Sequence, residues 1–274
     1  MKKILITGSK GYIARNIAAR LKNCDLFLVD RSMLDLENNK EVDAFFENRF
    51  FDIVINTAIK GGTRLKPDQP EFVFKNCLIH FNLLRNNKMY GKYISLGSGA
   101  EFDRLNDITD INEKKSLPID PYGMSKILIA NTGKEYEKFY NLRIFNIFCE
   151  DELPTRMIKS NTLRYIKKED IIIHQDKLMD FMYIDDFIKI LNFYIDNDKC
   201  PKEINCTYKK KYLLSDIANI INNLSNYKVN IQIQCDQVAK SYIGKYELDK
   251  LNIEFGSLEM GIKLCYDYYL RNGQ

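Results

Sequence analysis

Tyr122 and Lys126 stand four residues apart in Asp120-Pro121-Tyr122-Gly123-Met124-Ser125-Lys126, a spacing that puts both side chains on one face of a helix beginning there. An ammonium beside a phenol favours the phenolate and brings the tyrosine pKa down from its usual value of about 10, which makes it a usable acid or base near neutral pH. The spacing alone decides little in a chain with 17 tyrosines, and Tyr246 and Lys250 repeat it without a strand and loop before them to hold a substrate. Ser98 gives the first pair its context. It lies twenty-four residues earlier in Ser95-Leu96-Gly97-Ser98-Gly99-Ala100, just past a β-rich run, where ligands of open parallel sheets bind. A serine hydroxyl there can hydrogen-bond a substrate oxygen while Tyr122 exchanges the proton and Lys126 holds a cofactor ribose. Read singly, Ser98 is a turn residue; the company of Tyr122, Lys126 and a glycine turn reverses that reading.

A second cluster opens the chain. Gly8-Ser9-Lys10-Gly11-Tyr12-Ile13-Ala14 follows the first β-rich run and starts the first helical segment, the context in which a glycine pattern is informative. Gly8 permits a tight turn, and Gly11 lets backbone N–H groups approach a pyrophosphate. Ala14 is small enough for helix to lie on strand, and Tyr12 and Ile13 begin a helix whose amino terminus carries partial positive charge. The plain alternative is an ordinary strand-to-helix turn. Twenty-two residues after Gly8 stands Asp30-Arg31. An acidic residue there grips the adenine ribose hydroxyls of NAD, whereas a basic one receives the 2′-phosphate of NADP. The pair is mixed, and both could be solvated loop residues.

These residues need a scaffold, and the first half of the chain supplies one. β-rich runs at Lys3–Thr7, Asp25–Asp30, Phe51–Asn56, Lys92–Leu96 and Leu142–Phe148 alternate with segments of helical period at Tyr12–Lys22, Asn39–Asn48, Glu71–Asn87 and Gly123–Phe139. That alternation predicts βαβ units and a doubly wound parallel sheet of Rossmann type, and the continuous apolar character of the strands predicts helices on both faces. After residue 150 the rhythm breaks. A β run at Asp170–His174, helices near Ile184–Tyr194 and Leu214–Leu224, a strand at Val229–Gln234 and a last helix over Leu258–Leu270 follow. The reading is a dinucleotide-binding domain over 1–150 and a smaller mixed α/β substrate-binding portion over 151–274, packed back on the first because no Pro/Gly/Ser linker separates them.

Composition removes other classes. The 274 residues are 45% hydrophobic and 28% charged, which excludes disorder, collagen and coiled coil. The net charge of +4 is too mild for a nucleic-acid footprint, and Lys209-Lys210-Lys211 is the densest basic run, read as a solvated turn. Seven cysteines, an odd number with no Cys-x-x-Cys pair, read as reduced thiols, and no metal site is expected. The amino terminus lacks the pattern of a signal peptide, and no apolar stretch is long enough to span a membrane. The expected compartment is the cytosol.

Taken together, the motifs resemble the extended short-chain dehydrogenase/reductases that act on nucleotide sugars, the NAD-dependent epimerase/dehydratase group, over nearly the whole chain. Thr7-Gly8-x-x-Gly11-x-x-Ala14 is similar to the family's cofactor turn, Asn56-Thr57-Ala58 to its third-strand motif, and Asn76 to the asparagine of the next helix. Ser98, Tyr122 and Lys126 match its catalytic set. Leu142-Arg143-Ile144-Phe145-Asn146-Ile147-Phe148 resembles its fifth strand and Asp180-Phe181-Met182-Tyr183-Ile184-Asp185-Asp186 a segment of its substrate domain. Thr57-Ala58-Ile59-Lys60-Gly61-Gly62 and Leu96-Gly97-Ser98 are similar to the branch of 4-keto sugar reductases of GDP-fucose synthase type. The resemblance implies cofactor contacts from Ala58, Lys60, Asn76, Tyr122, Lys126 and the backbone at Phe145, and substrate contacts from Ser98, Gly99, Ala100 and Asn146. It places Arg31 at the NADP phosphate, so NADP(H) is favoured with NAD(H) as the alternative. It also implies a homodimer through the two helices beside Tyr122. Cys149-Glu150 replaces the family's Gly-Pro and Met179 its usual arginine, which leaves the substrate pyrophosphate to another base, with Arg156 and Arg164 as candidates.

Residues next to Ser98 choose the reaction. Dehydratases of the family carry Thr-Asp-Glu where this chain has Ser98-Gly99-Ala100, and Glu101 sits one position late. The epimerising cysteine and histidine of the fucose branch are Ala100 and, near the second place, Arg156; the two histidines, His80 and His174, are expected to serve packing or surface. What remains is reduction of a 4-keto nucleotide sugar without epimerisation. The alternative is a 4-epimerase with tightly held NAD. A cofactor-binding protein without chemistry is a third class, which the presence of both Tyr122 and Lys126 disfavours.

Overall fold

The computed structural model describes residues 1–62, 66–104 and 117–273. In chain order the regular elements are β1 (Lys2–Thr7), α1 (Tyr12–Arg20), β2 (Cys24–Val29), α2 (Asn39–Phe46), β3 (Phe51–Asn56), α3 (Glu71–Leu84), β4 (Tyr90–Ser98), α4 (Pro121–Gly133), β5 (Phe139–Ile144), β6 (Ile147–Phe148), α5 (Met157–Ile166), β7 (Ile171–Gln175), β8 (Met182–Tyr183), α6 (Ile184–Asp196), β9 (Glu203–Cys206), α7 (Leu214–Asn222), β10 (Ile231–Cys235) and α8 (Leu258–Arg271).

A six-stranded sheet has the order β2-β1-β3-β4-β5-β9, and β1 to β5 pair in parallel with β1 between β2 and β3. This is the Rossmann-like α/β sheet expected from the alternation of strands and helices. The core on one of its faces joins Leu5, Val29 and Val54 of the strands to Val42, Phe46, Ile79 and Leu83 of the helices. Strands whose two faces are both covered are buried along their length, and β1, β3 and β4 are buried over most of theirs.

The described residues form two compact units. Met1–Asp103 and Leu191–Ile204 belong to the first together with α4 and β5; Phe145–Ile190 and the chain from Asn205 onward make the second. The division therefore differs from a single cut at residue 150: it falls after Ile144, and the chain returns at Leu191 to add the edge strand β9. Within the second unit β7 pairs with β10 and β6 with β8, both in parallel.

Two predicted boundaries shift for packing reasons. The helix expected over Gly123–Phe139 ends at Gly133, because a side chain at Gly133 would lie 2.3 Å from the Phe139 ring and the chain must turn to seat that ring. The strand expected over Leu142–Phe148 is two strands, β5 beginning at Phe139 and β6 at Ile147. No helix among the described residues is long and apolar enough to cross a membrane.

Candidate active site

The turn between β1 and α1 is fixed by its two glycines. Gly8 has φ +67°, and a Cβ there would lie 2.9 Å from the backbone N and Cα of Ala58, so both conformation and close approach demand glycine. Gly11 donates its N–H to the Gly8 carbonyl at 2.9 Å and caps α1 without any side-chain hydrogen bond to the helix. Tyr12 and Ile13 begin that helix. Its first amides are thus left to backbone, solvent or an anion. Asn56 holds the far side of the turn: its Oδ1 accepts from Thr7 Oγ1 at 2.7 Å and from Ala58 N at 3.2 Å.

At the end of β2, Asp30 accepts from Ser32 N at 2.7 Å and Ser32 Oγ at 2.6 Å and pairs with Lys10 at 3.0 Å. The Ser32 hydroxyl first, then Lys10, hold its carboxyl down at about 2. Arg31 reaches Glu37 at 3.4 Å and Asp35 at 3.7 Å with most of its side chain exposed. Lys60 meets the same Glu37 carboxylate at 2.6 Å, so two cations share one acid on this rim. Asn76, almost fully buried, accepts from Lys60 N at 2.8 Å and donates to Lys60 O at 2.9 Å and Ser125 Oγ at 3.1 Å. Both ends of its amide brace the loop after β3 against α4.

The start of α4, the helix that carries Tyr122 and Lys126, packs closely on the turn that follows Ser98. Asp120 caps α4 by accepting from Gly123 N at 2.8 Å, and Pro121 occupies the first turn, where its missing N–H costs nothing. A Cβ at Gly123 would lie 2.5 Å from the Ala100 carbonyl, so the start of α4 rests directly on the 3-10 turn Gly99–Glu101 that follows Ser98. Ser98 Oγ accepts from Ala100 N at 3.1 Å and keeps its own proton to donate. Gly99 and Ala100, next in the turn, are buried. Lys126 Nζ stands 5.7 Å from the centre of the Tyr122 ring and donates to the Leu96 carbonyl. Burial lowers its pKa to about 8, with Glu101 opposing the shift. The ammonium therefore persists at neutral pH. Gly62 also lies against the ring: it has φ +73°, and a Cβ there would lie 2.7 Å from Tyr122 Cε2.

Sequence reasoning missed the group that holds this turn. Glu101 is fully buried. Its carboxylate accepts from Ser98 N at 3.0 Å, from Asn141 Nδ2 at 3.0 and 3.1 Å, and from Arg143 Nε at 2.8 Å. The available signal was a pair of polar residues two apart in β5, hence on one face of a buried strand, which must find partners.

His80 lies in the core. Its Nδ1 accepts from Tyr93 OH at 3.2 Å and its Nε2 meets Thr132 Oγ1 at 3.2 Å. Since Thr132 Oγ1 donates to the Leu128 carbonyl, the Nε2–H form fits, and burial together with Lys126 depresses the imidazole to about 3. His174 is exposed and bonds Gln234.

The remaining candidates lie in the second unit. Phe145 packs its ring 5.2 Å from that of Tyr242. Asn146 is buried, donates to the Asp180 carbonyl at 2.8 Å and accepts from Arg156 Nη2 at 3.2 Å. Arg156 also faces Glu152 at 3.8 Å, whose carboxyl burial raises to about 7 against the pull of Arg156. Arg164 instead turns to the Asp170 carbonyl at 2.5 Å and Glu169 at 3.5 Å, so only Arg156 is joined to Asn146. Lys211 of the basic run pairs with buried Asp180 at 2.8 Å. Among the described residues, no group of His, Cys, Asp and Glu could hold a metal ion.

Residues 4–207 match the family described as NAD dependent epimerase/dehydratase. The chain is 21% identical over 308 residues to the GDP-L-fucose synthase of Sinorhizobium fredii, covering 99% of this chain and 96% of that protein. Among solved structures, a GDP-mannoheptose C4 reductase from Campylobacter jejuni with NADP bound superposes with a TM-score of 0.80 at 19% identity, over 98% of each chain. The UDP-glucose 4-epimerase of Thermotoga maritima, with UDP-glucose, gives 0.81 at 17% identity, over 99% of this chain and 100% of that one.

Proposed function

The chain belongs to the NAD dependent epimerase/dehydratase family, and within it we propose that this protein reduces a 4-keto nucleotide-activated sugar at C4, with NADPH as the favoured cofactor and without epimerisation. One observation carries the reading. Tyr122 and Lys126 lie on α4, whose start packs on the turn that follows Ser98, while every further acid or base of that turn is absent or engaged. Ala100 has no proton to exchange, and the Glu101 carboxylate is buried against Arg143 and Asn141. Elimination of water needs an acid and a base, and inversion beside a ketone needs groups on both faces of the carbon. Neither is available from these side chains.

The cradle at Gly8 and Gly11 fits a dinucleotide, which when bound supplies the hydride. The protein's residues do the rest. Tyr122 donates a proton to the C4 oxygen, Ser98 hydrogen-bonds that oxygen, and Lys126 holds the cofactor ribose and favours the phenolate left on Tyr122. Arg31 and Lys60 would receive a 2′-phosphate on release from Glu37, and Asp30 would hold ribose hydroxyls in the NAD alternative. Arg156, held at Asn146, is the better of the two candidate cations for the substrate pyrophosphate. Phe74, Phe81 and Leu128, exposed on α3 and α4, support a homodimer through those helices.

The NADP-bound C4 reductase among the structural neighbours supports the reductase reading; the 4-epimerase neighbour keeps the alternative in view. The two differ in cofactor traffic. A reductase exchanges cofactor each turnover, so the purified protein should carry little oxidised NAD and should consume NADPH stoichiometrically with a 4-keto-6-deoxy nucleotide sugar. Stoichiometric bound NAD with no net NADPH consumption would favour the epimerase.

A further inference from the structure

We infer that Glu101 is a positioning residue of this site: paired with Arg143, its carboxylate holds the turn that carries Ser98 and supplies the counter-charge for Lys126. The inference rests on the reading of Ser98, Tyr122 and Lys126 as the reacting set.

The geometry is specific to a carboxylate. One oxygen, Oε1, accepts the N–H of Ser98 at 3.0 Å while Ser98 Oγ accepts from the turn, a reciprocal capping box that fixes where the serine hydroxyl stands. The other, Oε2, takes Arg143 Nε at 2.8 Å, and Arg143 reaches on to Glu203 at 2.7 Å. Asn141 turns its amide nitrogen to Glu101 and leaves its own Oδ1 buried without a partner among the described residues, a cost accepted to give the carboxylate one more donor. Gly97 makes room for the arrangement: a Cβ there would lie 2.5 Å from Glu101 Oε1. Lys126 Nζ is bonded one residue away, on the Leu96 carbonyl.

Three side chains bear on the Lys126 ammonium. Glu101 is the acid that favours it; His80 of α3 is held neutral partly by it; the Tyr122 ring of the same helix lies beside it. Arg143 and Glu203 act behind Glu101 as its own partners. Removing the negative charge of Glu101 therefore leaves burial unopposed, and Lys126 loses its proton at lower pH.

The test uses the full chain and reads cofactor binding rather than turnover: the Kd for NADPH, from nicotinamide fluorescence between pH 6 and 10, for wild type, Glu101→Gln and Arg143→Lys. Wild type should weaken above about pH 8, where Lys126 deprotonates. Glu101→Gln should bind within about threefold of wild type at pH 6 and begin to weaken about one pH unit earlier, the low end of the effect of losing a nearby opposite charge. Arg143→Lys keeps the Glu101 charge, so it should lower thermal stability and leave the midpoint in place. A Glu101→Gln midpoint equal to that of wild type overturns the inference, as does an equal loss of affinity at every pH. Should Glu101→Gln fail to fold, Glu101→Asp serves: it keeps the charge but falls short of Ser98 N, so the midpoint should stay while kcat falls at unchanged KM for NADPH. A moved midpoint or an unchanged kcat in that variant overturns the inference. A wild-type enzyme without any such limb overturns the Lys126 reading and this one with it. Failure to reduce a 4-keto sugar, with the limb present and moved by Glu101→Gln, overturns the proposed reaction alone.

Discussion

Gly62→Ala should silence the enzyme while sparing its cofactor site. Gly62 has φ +73°, and its added Cβ would meet three atoms of the Tyr122 ring at 2.7 to 2.9 Å. Ordinary carbon contacts lie near 3.5–4.0 Å, so the ring has to retreat by about 1 Å. A displacement of about 1 Å of a positioned group costs roughly 10²-fold in rate. The left-handed backbone adds about 1–2 kcal/mol of destabilisation for a residue with a Cβ. In a chain of this size that corresponds to a fall in Tm of roughly 2–8 °C. The assay is kcat with NADPH and a 4-keto-6-deoxy nucleotide sugar, beside a melting curve and an NADPH titration. The Kd for NADPH should stay within about threefold, because Gly8, Gly11 and Arg31 are untouched. Gly61→Ala is the control: it carries φ +86°, yet its Cβ would meet Asp68 and Phe72, so it should cost similar stability and less rate. A Gly62→Ala enzyme that melts early but turns over at the wild-type rate would refute the claim that this loop sets the Tyr122 ring.

Tyr122→Phe keeps the ring and removes the proton, so turnover should drop at least about 10²-fold with NADPH binding nearly intact, whereas Tyr246→Phe should change little in the same assay. Arg31→Ala should weaken NADPH about tenfold more than NADH through loss of a charge-assisted contact to the 2′-phosphate, and Asp30→Ala should do the reverse; titrations of both cofactors decide, and an unchanged NADPH/NADH ratio in Arg31→Ala would return cofactor choice to Asp30. The pH profile of kcat/KM should fall as pH rises through about 8, because the buried Lys126 is charged below that value and neutral above it; a profile flat to pH 9.5 would contradict the requirement for the ammonium.

Much of this site was legible because the chemistry-bearing residues sit at the ends of elements whose periodicity is plain. β3 was bounded correctly from its apolar run, and α4 was expected from Gly123, two residues after its start at Pro121. What escaped lies where partners are remote in sequence. Asn141 interrupts β5 with polarity, and the strand therefore appeared to begin at Leu142; its partner Glu101 stands forty residues earlier. β9 was not anticipated because four residues carry too little pattern, and it joins the sheet only after the chain has left the first unit and returned. α5 was not anticipated either, since polar Lys159, Asn161 and Thr162 are buried on it and blur the amphipathic period that marks a helix. Arg164 was a candidate because Met179 replaces the family's arginine, and its bonds to the Asp170 carbonyl and to Glu169 at 3.5 Å, away from Asn146, set it apart from Arg156.

The central claim is reduction at C4 with no proton exchange at the neighbouring carbons. The most direct measurement runs the reaction in deuterated water with NADPH and a 4-keto-6-deoxy nucleotide sugar, and locates deuterium in the product by NMR. The account predicts that the new C4 hydrogen comes from the nicotinamide and that C3 and C5 stay unlabelled beyond spontaneous exchange, since Ala100 has no proton to exchange and the Glu101 carboxylate is held by Arg143. Enzyme-dependent deuterium at C3 or C5 would contradict it and would require an acid–base pair beyond Ser98, Tyr122 and Lys126.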